Sequence, residues 1–139
     1  MGGQQSIQKI NYIDMQNAIK NKELYLIINT LPPDEQGCLI VNTIPINVEE
    51  DLINRYLSEN RNIRFIIYGK NSNDETTTKK YNQLYSLGFY NIYIYTGGMF
   101  EWLLLQDIYG NELFPTTKKE VDLLKFKSTT MLNLALLEY

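Results

Sequence analysis

The sequence predicts a single α/β domain with a central, mostly parallel sheet flanked by helices. Three observations favour this class. Short apolar runs alternate with segments whose apolar residues recur at helical spacing. The run Phe65-Ile66-Ile67-Tyr68 is continuously apolar, as expected of a parallel strand that is buried on both faces. The chain has 139 residues, of which 44% are hydrophobic, so it can form one core and little more.

The first two strands and the first helix are predicted from the N-terminal part of the chain. Asp14 is a suitable N-cap for a short helix over residues 15–20, and residues 24–28 follow as a strand. The turn-forming residues 31–37 then break the chain. The apolar run over residues 38–46 predicts a second strand.

The middle of the chain predicts a helix, a buried strand and a second helix. Asn47 is followed three residues later by Glu50, which is the spacing of a capping box. The helix that this box opens has apolar residues at helical spacing: Leu52, Ile53, Tyr56 and Leu57. After the strand over residues 64–68, a polar loop over residues 69–75 leads to a helix over residues 76–87.

The C-terminal third predicts one more strand, a further helix and an extension. Residues 91–95 form the strand, and a helix opens at residues 97–98 and ends at Gly110. Residues 116–139 are too apolar for a free linker, so we expect a helical extension packed on the domain over residues 10–115. The alternative is that the extension leaves an apolar face for a partner.

Composition excludes several classes of function. The formal charge is −3 and basic residues are not clustered in the sequence, so no nucleic-acid partner is expected. The chain has no histidine, which excludes Ser-His and Cys-His nucleophile pairs and His-ligated metals. Its only cysteine, Cys38, cannot form an internal disulfide and indicates a reducing compartment, so we expect a cytoplasmic protein. No apolar run approaches the ~20 residues of a transmembrane helix.

Three motifs follow one another between residues 65 and 102. The strand over residues 65–68 runs into a loop and helix, residues 87–93 read LGFYNIY, and residues 97–102 read GGMFEW. In this order and spacing they resemble the rhodanese family of sulfurtransferases and related dual-specificity phosphatases, with its LGF-x-N-V-Y and GG-x-x-x-W patterns. The resemblance covers about residues 10–115 and implies a rhodanese-like domain.

The N-terminal half resembles the family more loosely. Residues 26–29 stand where the family has a strand that ends in Asp, and here the strand ends in Asn29. Residues 39–44 stand roughly where the family has HIPGAI, but without its histidine. The glycine-rich motif implies that Trp102 and Phe100 pack the last helix onto the sheet.

The resemblance places the family's catalytic loop directly after Tyr68. The family opens this loop with a cysteine, whose thiolate is stabilised by converging N–H groups, and often closes it with an arginine that holds an anionic substrate. Here Gly69 takes the cysteine position, while Asp74 and Glu75 put negative charge where an anion would bind. The loop has neither residue type: Gly69, Lys70, Asn71, Ser72, Asn73, Asp74, Glu75 and Thr76. We therefore expect no catalytic residue, no metal and no cofactor.

Other uses of this loop stay open at the level of sequence. Ser72 is a conceivable nucleophile, although the chain offers no imidazole base. Cys38 could approach the loop, although a buried structural thiol is the favoured interpretation. Ser72, Asp74 and Glu75 could hold a hard cation together with waters. Any of these would make the protein an enzyme of altered chemistry.

Residues 1–9 predict a flexible leader with a lipidation motif. The segment Met1-Gly2-Gly3-Gln4-Gln5-Ser6 matches M-G-x-x-x-[ST], with Gly2 as the myristoyl acceptor in a eukaryotic setting. One myristoyl chain gives only marginal, reversible membrane affinity. Lys9, Lys20 and Lys22 supplement it weakly, so a protein contact is the favoured second anchor.

These observations together predict a catalytically inactive rhodanese-like interaction or scaffold module. We expect a protein partner and reversible membrane association through Gly2. Besides an enzyme of altered chemistry, the remaining alternative is a structural subunit of a larger virion or membrane-associated assembly.

Overall fold

A four-stranded sheet forms the centre of the computed structural model, which describes residues 6–132. The strands lie in the order β1-β4-β3-β2, and all three neighbouring pairs are parallel. Because the strands are parallel, their carboxyl ends meet at one edge of the sheet. The strands are β1 (Gln8–Ile10), β2 (Tyr25–Asn29), β3 (Arg64–Tyr68) and β4 (Ile92–Tyr95).

Four helices cover the two faces of this sheet: α1 (Tyr12–Lys20), α2 (Ile46–Glu59), α3 (Thr76–Leu87) and α4 (Gly98–Tyr109). Alternate residues of β3 point to opposite faces, so the domain has two apolar cores. Phe65 and Ile67 pack with α2 and α3, whereas Ile66 and Tyr68 pack with α1 and α4. The predicted fold class, a mostly parallel α/β domain, is confirmed. Between residues 6 and 132, no helix has the length and apolar content to span a bilayer.

The first helix begins earlier than predicted. Asn11 is its N-cap, and the Asn11 side-chain oxygen accepts hydrogen bonds from the backbone N–H groups of Ile13 (3.0 Å) and Asp14 (3.1 Å). The carboxylate of Asp14 in turn accepts from the backbone N–H of Asn11 at 3.2 Å. Asp14 is therefore the third helical residue of a capping box and not the N-cap that the sequence analysis proposed.

Residues 38–46 do not form the predicted strand. Residues 38–40 are buried, but their backbone partners come from the C-terminal part of the chain: the Thr117 N–H donates to the Leu39 carbonyl at 2.8 Å. Asn42 then adopts a left-handed conformation with φ of 71°, which ends any extended run. The apolar pattern indicated burial correctly, but the segment makes only isolated bridges.

The predicted capping box of Asn47 and Glu50 is also absent. Helix α2 begins at Ile46, directly after Pro45, and no side chain caps its first turn. Pro45 has no N–H of its own, so one of the N–H groups that a helix start leaves unpaired is absent, and its carbonyl accepts from the Val48 N–H at 3.1 Å.

The segment before α1 and the C-terminal extension up to Phe126 both pack on the domain. Gln8–Ile10 is an edge strand beside β4, whereas the sequence analysis assigned residues 1–9 to a flexible leader. In the C-terminal extension we predicted a helix, and the residues up to 132 hold only a 3-10 turn, Leu123–Phe126. Phe126 is completely buried in the core under α4. Gly2 and residues 133–139 lie outside the described residues.

Candidate functional site

The loop between β3 and α3 lies at the carboxyl edge of the sheet. Strand β3 ends at Tyr68 and α3 begins at Thr76, which confirms the predicted loop of residues 69–75. Thr30, which follows β2, donates its backbone N–H to the Tyr68 carbonyl at 2.9 Å. The loop therefore starts from a rigid central strand, in the place where ligands bind in open parallel sheets.

The carboxylate of Asp74 fills the centre of this loop. One oxygen, Oδ2, accepts a hydrogen bond from the backbone N–H of Lys70 at 2.8 Å. The other, Oδ1, accepts from the N–H (3.0 Å) and the hydroxyl (2.6 Å) of Thr76. The loop thus binds its own anion, because these N–H donors point at a carboxylate of the same chain.

Asp74 also takes the space in front of Gly69. A Cβ atom at position 69 would lie 2.4 Å from Asp74 Oδ2 and 2.9 Å from the Thr30 hydroxyl oxygen. These separations are far below ordinary van der Waals contact, so a side chain at position 69 requires the carboxylate to move. The glycine at the family's cysteine position and the Asp74 carboxylate are therefore sterically coupled.

The start of α4 supports the loop from below. The backbone N–H groups of Met99 and Phe100 donate to the carbonyls of Gly69 (2.9 Å) and Lys70 (2.8 Å). Gly98 has a left-handed φ of +66°, and a Cβ there would lie 2.7 Å from the Gly69 carbonyl oxygen and 2.8 Å from the Asn71 nitrogen. Because the loop backbone rests directly on its α-carbon, only glycine fits at position 98.

The C-terminal extension is attached to the same loop. The side-chain amide of Asn71 donates to the Phe126 carbonyl at 2.9 Å, and that of Asn73 donates to the Ser128 hydroxyl at 3.1 Å. These contacts join residues 55 positions apart in the sequence. Nothing in the sequence around Asn71 and Asn73 indicates these contacts.

An open cleft of about 850 Å³ lies over the loop, and we refer to it as the loop cleft. Asp74 and Glu75 line it, and so does Ser72, which is exposed. Four lysines from separate segments line it as well: Lys9, Lys70, Lys79 and Lys127. Lys70 also makes an ion pair of 3.2 Å with Glu35. These lysines are far apart in the sequence, so their proximity could not be predicted from it.

The structure separates Cys38 from the loop. Its thiol donates a hydrogen bond to the Lys118 carbonyl at 3.1 Å, against the C-terminal extension, and Cys38 does not line the loop cleft. Burial raises the pKa of the thiol above its ordinary value of 9.0, so the neutral form dominates at pH 7. This is the environment of a structural cysteine and not of an activated nucleophile.

Asn29 has a structural role at the end of β2. It is buried, and its amide exchanges hydrogen bonds with that of Gln36 at 3.1 and 2.7 Å. Its oxygen also accepts from the Leu31 N–H at 3.0 Å. These bonds satisfy the buried amide and fix the turn that follows the strand.

Tyr68, the last residue of β3, organises the segment that resembles the family's HIPGAI stretch. Its hydroxyl oxygen accepts from the Ile40 N–H at 3.1 Å and shares a 2.7 Å hydrogen bond with the Thr43 hydroxyl. Complete burial raises the pKa of Tyr68 well above its ordinary value, so the side chain is neutral. Tyr68 therefore ties the buried coil to the strand that leads into the loop.

Trp102 packs α4 onto the sheet, as predicted. It is fully buried, and its indole N–H donates to the Pro115 carbonyl at 3.1 Å. Its ring makes edge-to-face contacts with Tyr95 and Phe114, at centroid distances of 5.9 and 5.0 Å. Phe100 is half-buried and packs against the same core.

The described residues do not assemble an obvious cation site at the loop. Between residues 6 and 132, no three His, Cys, Asp or Glu side chains converge. Asp74 already accepts hydrogen bonds at both carboxylate oxygens, and Glu75 is exposed beside it. A hard cation prefers several free oxygen ligands, which this arrangement offers poorly.

The geometry and the motifs agree with a comparison against protein families. The model of the rhodanese-like domain matches residues 13–105. The chain belongs to the rhodanese-like domain family. The match spans α1 to α4 and includes the whole loop, so the sequence-based resemblance is confirmed. No curated protein matches the chain significantly.

Solved structures show the same fold at low sequence identity. The rhodanese-like domain of an Anabaena sp. protein is 21% identical, with a TM-score of 0.55 over 93% of this chain and 96% of that one. A Bacillus halodurans protein is 21% identical, with a TM-score of 0.59 over 74% of each chain. A rhodanese-related protein from Thermoplasma volcanium is 21% identical, with a TM-score of 0.52 over 81% of this chain and 99% of that one.

Proposed function

We propose that this rhodanese-like domain is a non-catalytic interaction module, held reversibly at membranes through a myristoylated Gly2. The position of the Asp74 carboxylate carries the first part of this proposal. It occupies the space in front of Gly69 and accepts the N–H groups of Lys70 and Thr76. A loop that binds its own carboxylate cannot present the same donors to a substrate anion.

Two further features support the lack of catalysis. The loop contains no thiol, and the only cysteine of the chain, Cys38, is buried against the C-terminal extension with a raised pKa. A second carboxylate, Glu75, stands beside Asp74 at the start of α3, where the family's loop would hold a substrate anion. The loop therefore lacks the family's nucleophile, and Asp74 takes the donors that would hold a substrate anion.

The direct test is turnover of thiosulfate with cyanide as acceptor, and of an aryl phosphate, by the full chain. We expect rates at background, measured beside an active rhodanese as positive control. Turnover by the wild type that disappears in Ser72→Ala or Cys38→Ala would refute the non-catalytic assignment and identify the nucleophile.

The role of Asp74 is tested by introducing a thiol. In a Cys38→Ala background, Gly69→Cys is compared with the double variant Gly69→Cys/Asp74→Asn, which keeps the shape of the side chain and removes its charge. A neighbouring like charge raises a thiol pKa by about 1 or more, so the double variant should have about ten times more thiolate at neutral pH. The pH dependence of iodoacetamide alkylation measures this difference. Equal alkylation profiles would show that Asp74 does not control the loop.

The membrane part of the proposal is supported by the M-G-x-x-x-S motif around Gly2. It is tested by the intact mass of the full chain after co-expression with N-myristoyltransferase, with Gly2→Ala as the control. We expect loss of Met1 and gain of one myristoyl group in the wild type alone. An unmodified wild type would remove the anchor and leave the non-catalytic assignment in place.

A further inference from the structure

Four lysines that are scattered in the sequence meet at the loop cleft. Lys9 comes from β1, Lys70 from the loop, Lys79 from α3 and Lys127 from the C-terminal extension. Among residues 6–132, Lys9, Lys79 and Lys127 form no ion pair. A concentration of positive charge is unexpected in a chain with a formal charge of −3, so it marks a surface suited to anions.

The two carboxylates of the cleft offset only part of this charge. Asp74 points into the loop, where three donors satisfy it, and Lys70 is matched by Glu35. The hydrogen bonds of Asp74 do not remove its charge, so the four lysines against Asp74, Glu75 and Glu35 leave a net charge of about +1.

Apolar side chains accompany the lysines. Met131 lines the cleft with 92% of its surface exposed, and the next residue, Leu132, is 73% exposed. Large side chains with such exposure are poorly solvated in water but suit the boundary between headgroups and acyl chains. Positive and apolar groups thus share one surface, which is the combination that binds an anionic bilayer.

The first residues that the structure describes lie at the same surface. Ile7 lines the loop cleft, and Gly2 precedes it by five residues. A fully extended chain spans about 3.5 Å per residue, so the α-carbon of Gly2 lies within about 18 Å of that of Ile7 in any conformation. An acyl chain on Gly2 is therefore tethered within that distance of a residue that lines the loop cleft.

From this placement we infer that the lysine-lined loop cleft is the membrane-facing surface of the domain and binds anionic phospholipid headgroups. It supplies the second signal that a single myristoyl chain needs for stable attachment. The orientation that it sets rests on the proposed anchor at Gly2, but the headgroup binding does not. One net positive charge near an anionic surface raises the affinity by about five-fold.

The test is flotation of the full chain with vesicles of phosphatidylcholine, with and without phosphatidylserine. The charge-reversal variant Lys79→Glu/Lys127→Glu changes the loop cleft. The matched control, Lys20→Glu/Lys22→Glu, makes the same change at the end of α1 and before β2, on the opposite edge of the sheet. We expect the unmodified wild type and the control to bind only phosphatidylserine vesicles, with affinity falling as salt rises. The cleft variant should lose at least about 30-fold in affinity.

Equal loss in both charge-reversal variants, or binding that ignores phosphatidylserine, would overturn the inference. Failure of vesicle binding together with capture of a poly-glutamate peptide would also overturn it and assign the surface to an acidic protein segment. These outcomes are separate from the anchor. If the myristoylated protein binds both vesicle types equally, the headgroup site is refuted and the anchor is not. If Gly2 is not myristoylated, the anchor is refuted, and the headgroup site is judged from the vesicle binding of the unmodified chain.

Discussion

Substitution of Gly98 by alanine tests how the loop is supported. The added Cβ would lie 2.7 Å from the Gly69 carbonyl oxygen and 2.8 Å from the Asn71 nitrogen. Both are backbone atoms, which cannot turn away as a flexible side chain does. The loop must therefore lift from α4, or Gly98 must leave its left-handed conformation of φ +66°.

The cost can be worked from these contacts. The left-handed conformation costs a non-glycine residue about 1–2 kcal/mol. Lifting the loop weakens the two hydrogen bonds from Met99 and Phe100 to the Gly69 and Lys70 carbonyls, each with a net contribution of about 0.5–1.5 kcal/mol. Together these effects predict a loss of about 2–4 kcal/mol in the free energy of unfolding.

Urea denaturation of wild type and variant measures this loss. For a small domain, m is about 1–3 kcal/mol per molar urea, so the midpoint should fall by about 1–2 M without a change in m. Gly37→Ala is the control, because a Cβ there meets no atom within 4 Å. If Gly98→Ala unfolds at the same urea concentration as Gly37→Ala, the loop does not depend on close contact with α4.

Two further predictions concern the C-terminal extension. Phe126→Ala should lower the free energy of unfolding by about 3–5 kcal/mol because Phe126 is completely buried, whereas Leu124→Ala, at a site that is 63% exposed, should change it by less than about 0.5 kcal/mol. Similar urea midpoints for these two variants would refute the packing of the extension. Because the pKa of Cys38 is raised in the folded state, its contribution to stability is complete below pH 9 and is lost as pH rises further. Cys38→Ala should show a smaller fall in urea midpoint between pH 8 and 10 than the wild type, and equal falls would contradict the raised pKa.

Local signals predicted the central part of the fold well. The bounds of β3 and α3 follow from a short apolar run, a polar loop and Gly88, which ends α3 in a left-handed conformation. Each of these signals lies within the element that it defines, so no knowledge of distant residues is needed.

Elements whose partners are distant in sequence were predicted less well. Residues 38–40 are apolar because they are buried, but the segment pairs in two places, around residue 40 with residues 115–117 and at Ile44 with Ile27 of β2. Apolarity reports burial and does not say which backbone groups are paired. β1 was missed for the opposite reason, since Gln8 and Lys9 are polar and exposed at a sheet edge.

At the loop, too, the properties that depend on residue type were predicted, and the contacts between residues were not. The sequence predicted that Gly69 removes the nucleophile and that Asp74 opposes an anion, because both statements depend on residue type. It placed Asp74 at the helix end as a repelling charge, whereas the structure makes it the ligand of the loop's own N–H groups. A carboxylate in that position satisfies N–H donors of the loop that would otherwise be left without a partner. Glycine at position 69 and the internal carboxylate of Asp74 are thus mutually compatible, because the space that a side chain at position 69 would need is filled by the group that holds the loop together.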